Sequence, residues 1–250
     1  TPKTLSQANY ALEFLTTLYP VTLNDVRETP ATATFAASVI ILRPSETGPE
    51  ILFLRRNPSL KFHGDFWVFP GGRIDPEDYE QDLQNQRAAA RRAAVREAKE
   101  EAGLTLPEKK LTFAVHWTTP ESSPIRFSTW FFVTHDSGEH VRIDGNEILD
   151  HQWLKPIDAL KLHTDRKMKL AAPTFALTTR LAEFQDINSA VAGIEQWPEE
   201  YLLGRLRKVD DGTVALYHQD IAYESGRLDQ EGPRHRLWMI QSGWSYERNF

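Results

Sequence analysis

Blocks of apolar and β-branched residues, separated by short polar stretches, predict several strands with few helices between them. The runs 31–44 and 50–56 are separated by the turn-forming residues SETGP, so they predict a β-hairpin. Three later runs, 111–119, 125–135 and 147–156, predict further strands. A short strand is also expected within FHGDFWVF, before a loop rich in Gly, Pro and Asp.

Helical patterns occur at both ends of this strand-rich region and once inside it. Apolar residues at helical spacing in 5–18 predict an N-terminal helix. The good helix formers Ala, Arg, Glu and Gln from Tyr79 to Ala102 predict a longer helix, with Gly103 as its C-terminal cap. The segments 157–162 and 173–187 predict two later helices.

The order of these elements predicts an α+β domain at residues 30–165, with additions at both ends. Residues 1–29 are expected to form a helical extension. Residues 166–250 form a C-terminal extension of mixed content, with strand-like pieces at 213–218 and 236–240. Its large apolar residues would be costly to leave in water, so we expect the extension to pack on the domain or on a second subunit.

Composition and charge narrow the functional classes. The 250 residues are 40% hydrophobic and 26% charged, which is ordinary for a globular protein. The net charge of −6 argues against a nucleic-acid-binding surface but not against a phosphorylated small molecule whose charge a cation neutralises. The absence of cysteine excludes disulfides, thiolate zinc sites and cysteine nucleophiles. No signal-peptide pattern or membrane-spanning apolar run occurs, and we expect a cytoplasmic location.

The segment AAVREAKEEAGL places several acidic residues on one helix face. Glu97 and Glu101 are separated by four residues and Glu97 and Glu100 by three, so their carboxylates project from the same side. One explanation is a solvated charged face on which Arg96 pairs with Glu100. The other is a site for a hard divalent cation such as Mg²⁺, which prefers oxygen ligands and binds phosphate oxygens.

The surrounding sequence favours the second explanation. FPGGRIDPED precedes the helix, and the pattern strand–GG–loop–helix with RE-x-x-EE-x-G-h resembles the signature of the Nudix hydrolases. The second half of that signature is matched at every fixed position, namely Arg96, Glu97, Ala98, Glu100, Glu101, Gly103 and Leu104. The first half departs, because Asp78 stands where the family has Glu and about ten residues are inserted between Asp78 and Arg96. Any role for Asp78 is therefore left open.

The resemblance covers about residues 33–160 and implies both a fold and a reaction. The fold is the Nudix α/β/α sandwich with a mixed β-sheet. The reaction is hydrolysis of a nucleoside diphosphate linked to another moiety, with Mg²⁺ or Mn²⁺ as the cofactor. The implied metal ligands are Glu97, Glu101, Glu100 (directly or through water) and the carbonyl of Gly72. Arg96 would orient Glu97, and Glu100 and Arg96 are candidate catalytic residues.

Such a site needs a further carboxylate from elsewhere in the chain. Glu147, six residues before Trp153 on the approach to a strand, is the candidate, and Asp150 and Glu121 are the alternatives. Arg55 and Arg56 follow a strand and are candidates for binding the substrate phosphates.

The substrate is less well indicated. Residues 52–78 and the insertion inside the signature resemble the branch that contains peroxisomal coenzyme A diphosphatases, and 172–184 resembles a segment of their bacterial relatives. A separate coenzyme A motif is not satisfied, because Leu54 and Lys61 stand at its positions. Coenzyme A or an acyl-CoA is the first expectation. ADP-ribose, NAD(H)-like compounds and other dinucleotides are the alternatives.

Other classes of function were weighed against this one. A catalytically silent Nudix-fold module or ligand sensor is the main alternative, and the intact RE-x-x-EE set argues against it. A DNA-binding tail would need a longer basic helix than RLRK provides, and the eight histidines lack zinc-site spacing. Trp238, Trp244 and Tyr246 either stack on an adenine or belong to a core or interface. The sequence leaves a homodimer open.

Overall fold

The computed structural model describes residues 30–80, 82, 84–136 and 138–250, and these form two compact units. The described part of the larger unit comprises Thr34–Trp117 and Phe127–Tyr201. The smaller unit comprises residues 30–33, Thr118–Arg126 and Leu202–Phe250. The predicted helix at 5–18 lies outside the described residues. The predicted domain boundary at residue 165 stays a prediction.

Strands dominate both units. The first seven are β1 (Thr34–Ser45), β2 (Gly48–Arg56), β3 (Trp67–Val68), β4 (Gly71–Arg73), β5 (Thr112–Thr118), β6 (Phe127–His135) and β7 (Ile148–Leu154). The remaining five are β8 (Tyr201–Leu203), β9 (Arg205–Val209), β10 (Gly212–Leu216), β11 (His235–Ile240) and β12 (Gly243–Arg248). The helices are α1 (Gln86–Ala102), α2 (Pro156–Thr164), α3 (Ala172–Leu181) and α4 (Ile187–Glu195), with short 3₁₀ turns at Pro76–Tyr79 and Glu108–Lys110.

The main sheet is mixed, as the resemblance implied. Its strand order is β3-β2-β1-β6-β5-β8, with β4 paired to β1 and β7 paired to β2. The strands β1 and β2 form the predicted antiparallel hairpin, whereas β1 and β6 run parallel. The short strand β4 pairs with the first half of β1, where Gly72 lies opposite Ala37. This pairing places Gly71 and Gly72 next to β1, an inner strand of the sheet.

Helix α1 packs on one face of this sheet mainly through alanines, with the partly buried Val95 beside them. Ala90, Ala94, Ala98 and Ala102 recur every fourth residue and are buried against Val39 and Ile41 of β1 and their neighbours. Residues spaced by four lie on one side of a helix, and their small size lets the helix approach the sheet closely. The acidic residues of α1 are therefore held at a short distance from β4.

The opposite face of the sheet is buried as well. Side chains alternate between the two faces of a strand, so Ile40, Leu42 and Phe53 point away from α1, and all three are fully buried. Helix α4 contacts β1, β2 and β6 within the same unit. The α+β class with a mixed sheet is thus confirmed.

The smaller unit contains a four-stranded antiparallel sheet in the order β12-β11-β10-β9. Its core includes Val214, Leu216 and Ala222, and the half-buried Trp238 packs against it. The indole Nε1 of Trp238 donates to Glu247 at 2.6 Å, so this aromatic belongs to the sheet's own packing. Among the described residues no helix has the length and apolar content needed to cross a membrane.

Within the described residues, each predicted strand and helix has a counterpart in the structure, and the main differences lie at helix boundaries. The predicted helix 79–102 begins only at Gln86, because the Asn85 side chain accepts a hydrogen bond from the backbone N–H of Ala88 and caps it there. The predicted helix 173–187 ends at Leu181. A separate helix then starts after Asp186, whose side chain accepts from the N–H of Ser189.

Candidate functional site

The candidate site lies along the last two turns of α1, which end at the predicted cap. Gly103 adopts the left-handed conformation with φ of 69°, and its N–H donates to the carbonyl of Lys99. Glu97 and Glu101 emerge from the side of this helix that faces β4. The strand places Gly71 and Gly72 directly against their carboxylates.

Glu101 is the most buried acid of the site, with only 5% of its surface exposed. Its Oε2 accepts a hydrogen bond of 2.9 Å from the N–H of Gly71. Burial raises the pKa of Glu101 to about 8, the Gly71 N–H lowers it in part, and the charge of Glu97 raises it further. The charge of Arg56, 3.9 Å away, also opposes this rise.

Glu97 lies against the second glycine. A Cβ atom on residue 72 would overlap the Glu97 carboxylate, so only glycine permits this close approach. Glu97 Oε1 accepts a 2.8 Å hydrogen bond from Arg96 Nη1. Burial raises the pKa of Glu97, Arg96 opposes that rise, and the charges of Glu100 and Glu147 add to it.

Arg96 connects the helix to the loop that precedes it. Its Nη2 and Nε bond both oxygens of the buried Asp78, at 2.9 and 3.3 Å, and Nη2 also donates to the carbonyl of Arg73 at 2.9 Å. The hydrogen bonds with Asp78 raise the pKa of Arg96 above its ordinary value. Because Nη1 is bound to Glu97, the guanidinium restrains the orientation of that carboxylate.

Asp78 is the residue whose role the sequence left open. The inserted residues fall in the segment before Gln86 and in the first turns of α1, and Asp78 still reaches Arg96 across 18 positions. Its Oδ2 also accepts from the N–H of Asp75, which closes a capping box on the 3₁₀ turn. In the sequence, the only signal for this contact is that Asp78 is an acidic residue two positions after Pro76, the first residue of the turn.

Glu147 lies close enough to act on the same carboxylates. Its charge raises the pKa of both Glu97 and Glu101. Arg56 joins it to the site: Arg56 Nη2 is 2.6 Å from Glu147, and Nη1 is 3.9 Å from Glu101. The structure therefore brings together Glu97, Glu101, Glu147 and Arg56.

The other candidates are placed elsewhere or engaged differently. Glu100 is exposed and accepts from Arg96 Nη1 at 3.1 Å. Arg55 bonds Asp65 Oδ1 through Nη2 at 2.7 Å instead of an acid of the site. The Asp150 carboxylate accepts from the N–H of His151, and Glu121 is an exposed residue of the smaller unit.

The donor set suits a hard divalent cation. Carboxylates of Glu97 and Glu101 and the carbonyl of Gly72 could serve as oxygen ligands, which Mg²⁺ and Mn²⁺ prefer. Within the described ranges no three His, Cys, Asp or Glu side chains already form a metal-binding cluster. Glu100 and Glu147 are instead paired with arginines, Glu100 at 3.1 Å from Arg96 and Glu147 at 2.6 Å from Arg56.

Comparisons with known proteins identify the family and the fold. The family model described as NUDIX domain matches residues 33–174. A Nudix hydrolase from Alicyclobacillus acidocaldarius has a similar structure, with a TM-score of 0.60 and 22% identity over 67% of this chain and 99% of that one. No curated protein sequence matches the chain.

Two further solved structures match more weakly. The NUDIX domain of Shewanella oneidensis NrtR, complexed with ADP ribose, is 17% identical with a TM-score of 0.47, over 61% of this chain and 88% of that one. The Ap4A hydrolase of C. elegans is 24% identical with a TM-score of 0.40, over 60% of this chain and 96% of that one.

Proposed function

Because the chain belongs to the Nudix family and is a Nudix pyrophosphohydrolase, we propose that it cleaves a nucleoside diphosphate linked to another moiety with the help of Mg²⁺ or Mn²⁺. One observation carries the proposal. The buried carboxylate of Glu101 and the partly buried carboxylate of Glu97 lie against the backbone of Gly71 and Gly72, and burial raises the pKa of both. Such a cluster of oxygen ligands fits a divalent cation better than it fits any neutral ligand.

The cation would be held by Glu97, Glu101, the carbonyl of Gly72 and, directly or through water, Glu100. Bound there, it would neutralise the charge of the pyrophosphate and lower the pKa of an attacking water. The chain's own residues supply the orientation. Arg96 holds Glu97 through a 2.8 Å hydrogen bond, and Asp78 holds Arg96 in turn.

Two residues are proposed to act on the reacting groups. Glu147 is the additional carboxylate, serving as a base or as an extra ligand, and its support is the electrostatic proximity to Glu97 and Glu101. Glu100 is exposed on the same helix and free to turn from Arg96 toward a cation or water. Arg55 and Arg56 stay the proposed phosphate-binding residues. Arg56 has the better support, because it already lies beside the carboxylates.

For the substrate we propose coenzyme A or an acyl-CoA first. The support is the resemblance of residues 52–78 and 172–184 to the coenzyme A diphosphatase branch, together with the insertion inside the signature. ADP-ribose and dinucleotides are the second candidates, because the diphosphate site is indifferent to the group beyond it. A catalytically silent binding module is disfavoured by the intact RE-x-x-EE set, with Glu97, Glu100 and Glu101 all present.

A product screen tests the proposal. Coenzyme A, acetyl-CoA, ADP-ribose, NADH and a dinucleoside polyphosphate are incubated with the protein and Mg²⁺ or Mn²⁺, and products are identified by mass spectrometry. We expect coenzyme A to yield two phosphomonoesters faster than the other compounds. Faster cleavage of ADP-ribose or a dinucleotide would replace coenzyme A as the substrate. No cleavage of any compound would favour the silent module.

The proposal also covers the location, the partners and the oligomeric state of the enzyme. We propose a cytoplasmic enzyme acting on a phosphorylated small molecule, without nucleic acid or membrane as a partner. We also propose a homodimer, because the apolar residues within 166–250 could pack against a second subunit. Sedimentation of the purified chain would test the dimer, and a mass of one chain at micromolar concentration would remove it.

A further inference from the structure

Arg56 lies between Glu101 and Glu147, two acids that could also serve as ligands of a metal ion. We propose that Arg56 is the resident counter-cation of the site: it holds Glu101 and Glu147 in the metal-free protein and gives up Glu147 when a divalent cation binds. This inference rests on the proposed function. It adds an exchange step in which one arginine and one cation compete for the same carboxylate.

The ion-pair distances support this role. Arg56 Nη2 lies 2.6 Å from a Glu147 oxygen, whereas Nη1 is 3.9 Å from Glu101. The guanidinium therefore makes one tight and one loose ion pair with acids on different elements. The Glu147 side chain is about half exposed, at 48%, so it can turn away, while Glu101 is enclosed. Glu147 is accordingly the partner that is released.

The backbone sets Arg56 in this position. Strands β2 and β7 pair in register until a shift between Arg55 and Arg56, after which Arg56 lies opposite Ile148. Irregularities of this kind change the direction of a side chain and are frequent beside active sites. The N–H of Asn57 then donates to the carbonyl of Glu147 at 2.8 Å, which fastens the two segments together. The arginine and its acid thus stay adjacent whether or not their side chains are paired.

One hydrogen-bond donor of Arg56 is left over. Its Nε is buried and has no hydrogen-bond partner among the described residues, and only 16% of the side chain is exposed. A buried donor without an acceptor is unfavourable, so the guanidinium is incompletely satisfied in the metal-free protein. Phosphate oxygens suit the planar array of arginine donors. After Glu147 is released, Arg56 is therefore equipped to bind a substrate phosphate.

Arg56 and a divalent cation should compete for the same acids because both are positively charged. A divalent cation coordinated by Glu101 and Glu147 would stand next to the guanidinium, and like charges repel strongly where water is scarce. Removing the arginine's charge should therefore strengthen cation binding. A purely structural arginine predicts the reverse, because loss of its contacts would loosen the ligands and weaken binding.

The experiment measures Mn²⁺ affinity by titration calorimetry at one fixed pH. We expect Arg56→Met to bind Mn²⁺ about tenfold tighter than the unaltered protein, the scale on which neighbours of metal ligands change affinity. The same variant should show a higher KM for the substrate, because a phosphate partner is lost. Arg43→Met is the matched control, since Arg43 pairs with Glu50 in the β1–β2 hairpin and not with the site, and we expect its Mn²⁺ affinity to be unchanged.

A second variant keeps the test possible if Arg56→Met does not fold. Arg56→Gln removes the charge but can still donate to Glu147, and it should tighten Mn²⁺ binding as Arg56→Met does. Unchanged or weaker binding in whichever folded variant is measured would overturn the exchange. If the unaltered protein binds no Mn²⁺, the proposed function fails and takes this inference with it. Failure of the exchange alone shows as normal Mn²⁺ binding that does not respond to residue 56.

Discussion

Arg96 bonds both oxygens of Asp78, with Nη2 at 2.9 Å from Oδ2 and Nε at 3.3 Å from Oδ1. The two residues are separated by 18 positions, because the inserted residues lie between them in the sequence. The same guanidinium bonds Glu97 through Nη1. Asp78, Arg96 and Glu97 therefore form a chain of contacts that runs from the loop before α1 to a proposed metal ligand.

The first prediction concerns the start of that chain. Asp78→Asn keeps the shape of the side chain but removes the charge that Arg96 pairs with. We expect the free energy of unfolding to fall by about 2 kcal/mol, the typical worth of hydrogen bonds to a charged partner. Turnover should fall as well, because Arg96 no longer holds Glu97 in one orientation. Urea unfolding and steady-state kinetics measure the two effects.

Glu80→Gln is the control for this substitution. Glu80 is exposed and lies 3.6 Å from Arg92, so its ion pair is a surface pair of little consequence. We expect its stability and turnover to stay near those of the unaltered protein. Equal behaviour of Asp78→Asn and Glu80→Gln would show that Asp78 does not support the site.

Structural features that depend on neighbouring residues can be predicted from this sequence more fully than features that depend on residues far apart in it. The hairpin of β1 and β2 and the cap at Gly103 follow from local patterns, and both are found. The start of α1 was placed seven residues too early, because its residues favour helix and the Asn85 cap was overlooked. Local preference alone cannot weigh such a cap against a run of good helix formers.

Long-range contacts of the site were harder to anticipate. The pairing of Arg56 with Glu147 depends on a register shift between β2 and β7, which no short pattern reveals. The edge strands β9 and β12 were missed for a related reason. Their sequences, RLRKV and GWSYER, are short and polar on one face, and only pairing with β10 and β11 makes them strands. In contrast, Glu97 and Glu101 were found because helix geometry relates them directly.

The second prediction concerns Gly72. A methyl group at this position would overlap the Glu97 carboxylate, so Gly72→Ala must displace that side chain or shift β4. We expect turnover to fall on the order of a hundredfold, because misplacing a catalytic group by about 1 Å can cost that much. Affinity for Mn²⁺ should weaken at the same time.

Gly204→Ala is a suitable control, since the nearest atoms to its added methyl group are at 3.3 Å or beyond and lie in the smaller unit. It should keep full turnover and Mn²⁺ affinity. A Gly72→Ala variant that is as active as Gly204→Ala would mean that the close approach of residue 72 to Glu97 is unimportant.

The third prediction is a pH dependence of stability in the metal-free protein. Burial raises the pKa of Glu101 from its ordinary 4.5 to about 8 in the folded state. Between these values the folded protein keeps a proton that the unfolded chain has lost, so stability falls as the pH rises. The extra stability is present below about pH 4.5 and is lost by about pH 8.

Melting temperatures in excess chelator, from pH 5 to pH 8, test this dependence. Glu101→Gln cannot titrate, so its melting temperature should decline less steeply than that of the unaltered protein over the same range. The raised pKa of Glu97 contributes in the same direction to both proteins, and the difference isolates Glu101. Parallel curves for the two proteins would refute a strongly raised pKa at Glu101.

The fourth prediction concerns the central claim, that Glu97 and Glu101 hold the cation used to break a pyrophosphate bond. The direct measurement is the rate at which two phosphomonoesters appear from the best substrate of the product screen. We compare the unaltered protein, Glu97→Gln, Glu101→Gln and the exposed control Glu195→Gln at limiting Mg²⁺. The account predicts that the two site variants lose on the order of a hundredfold or more in rate, a typical cost of removing a charge-stabilising group. Chelator should abolish cleavage, and Glu195→Gln should cleave normally. Near-normal rates in both site variants, or undiminished cleavage in chelator, would contradict the account.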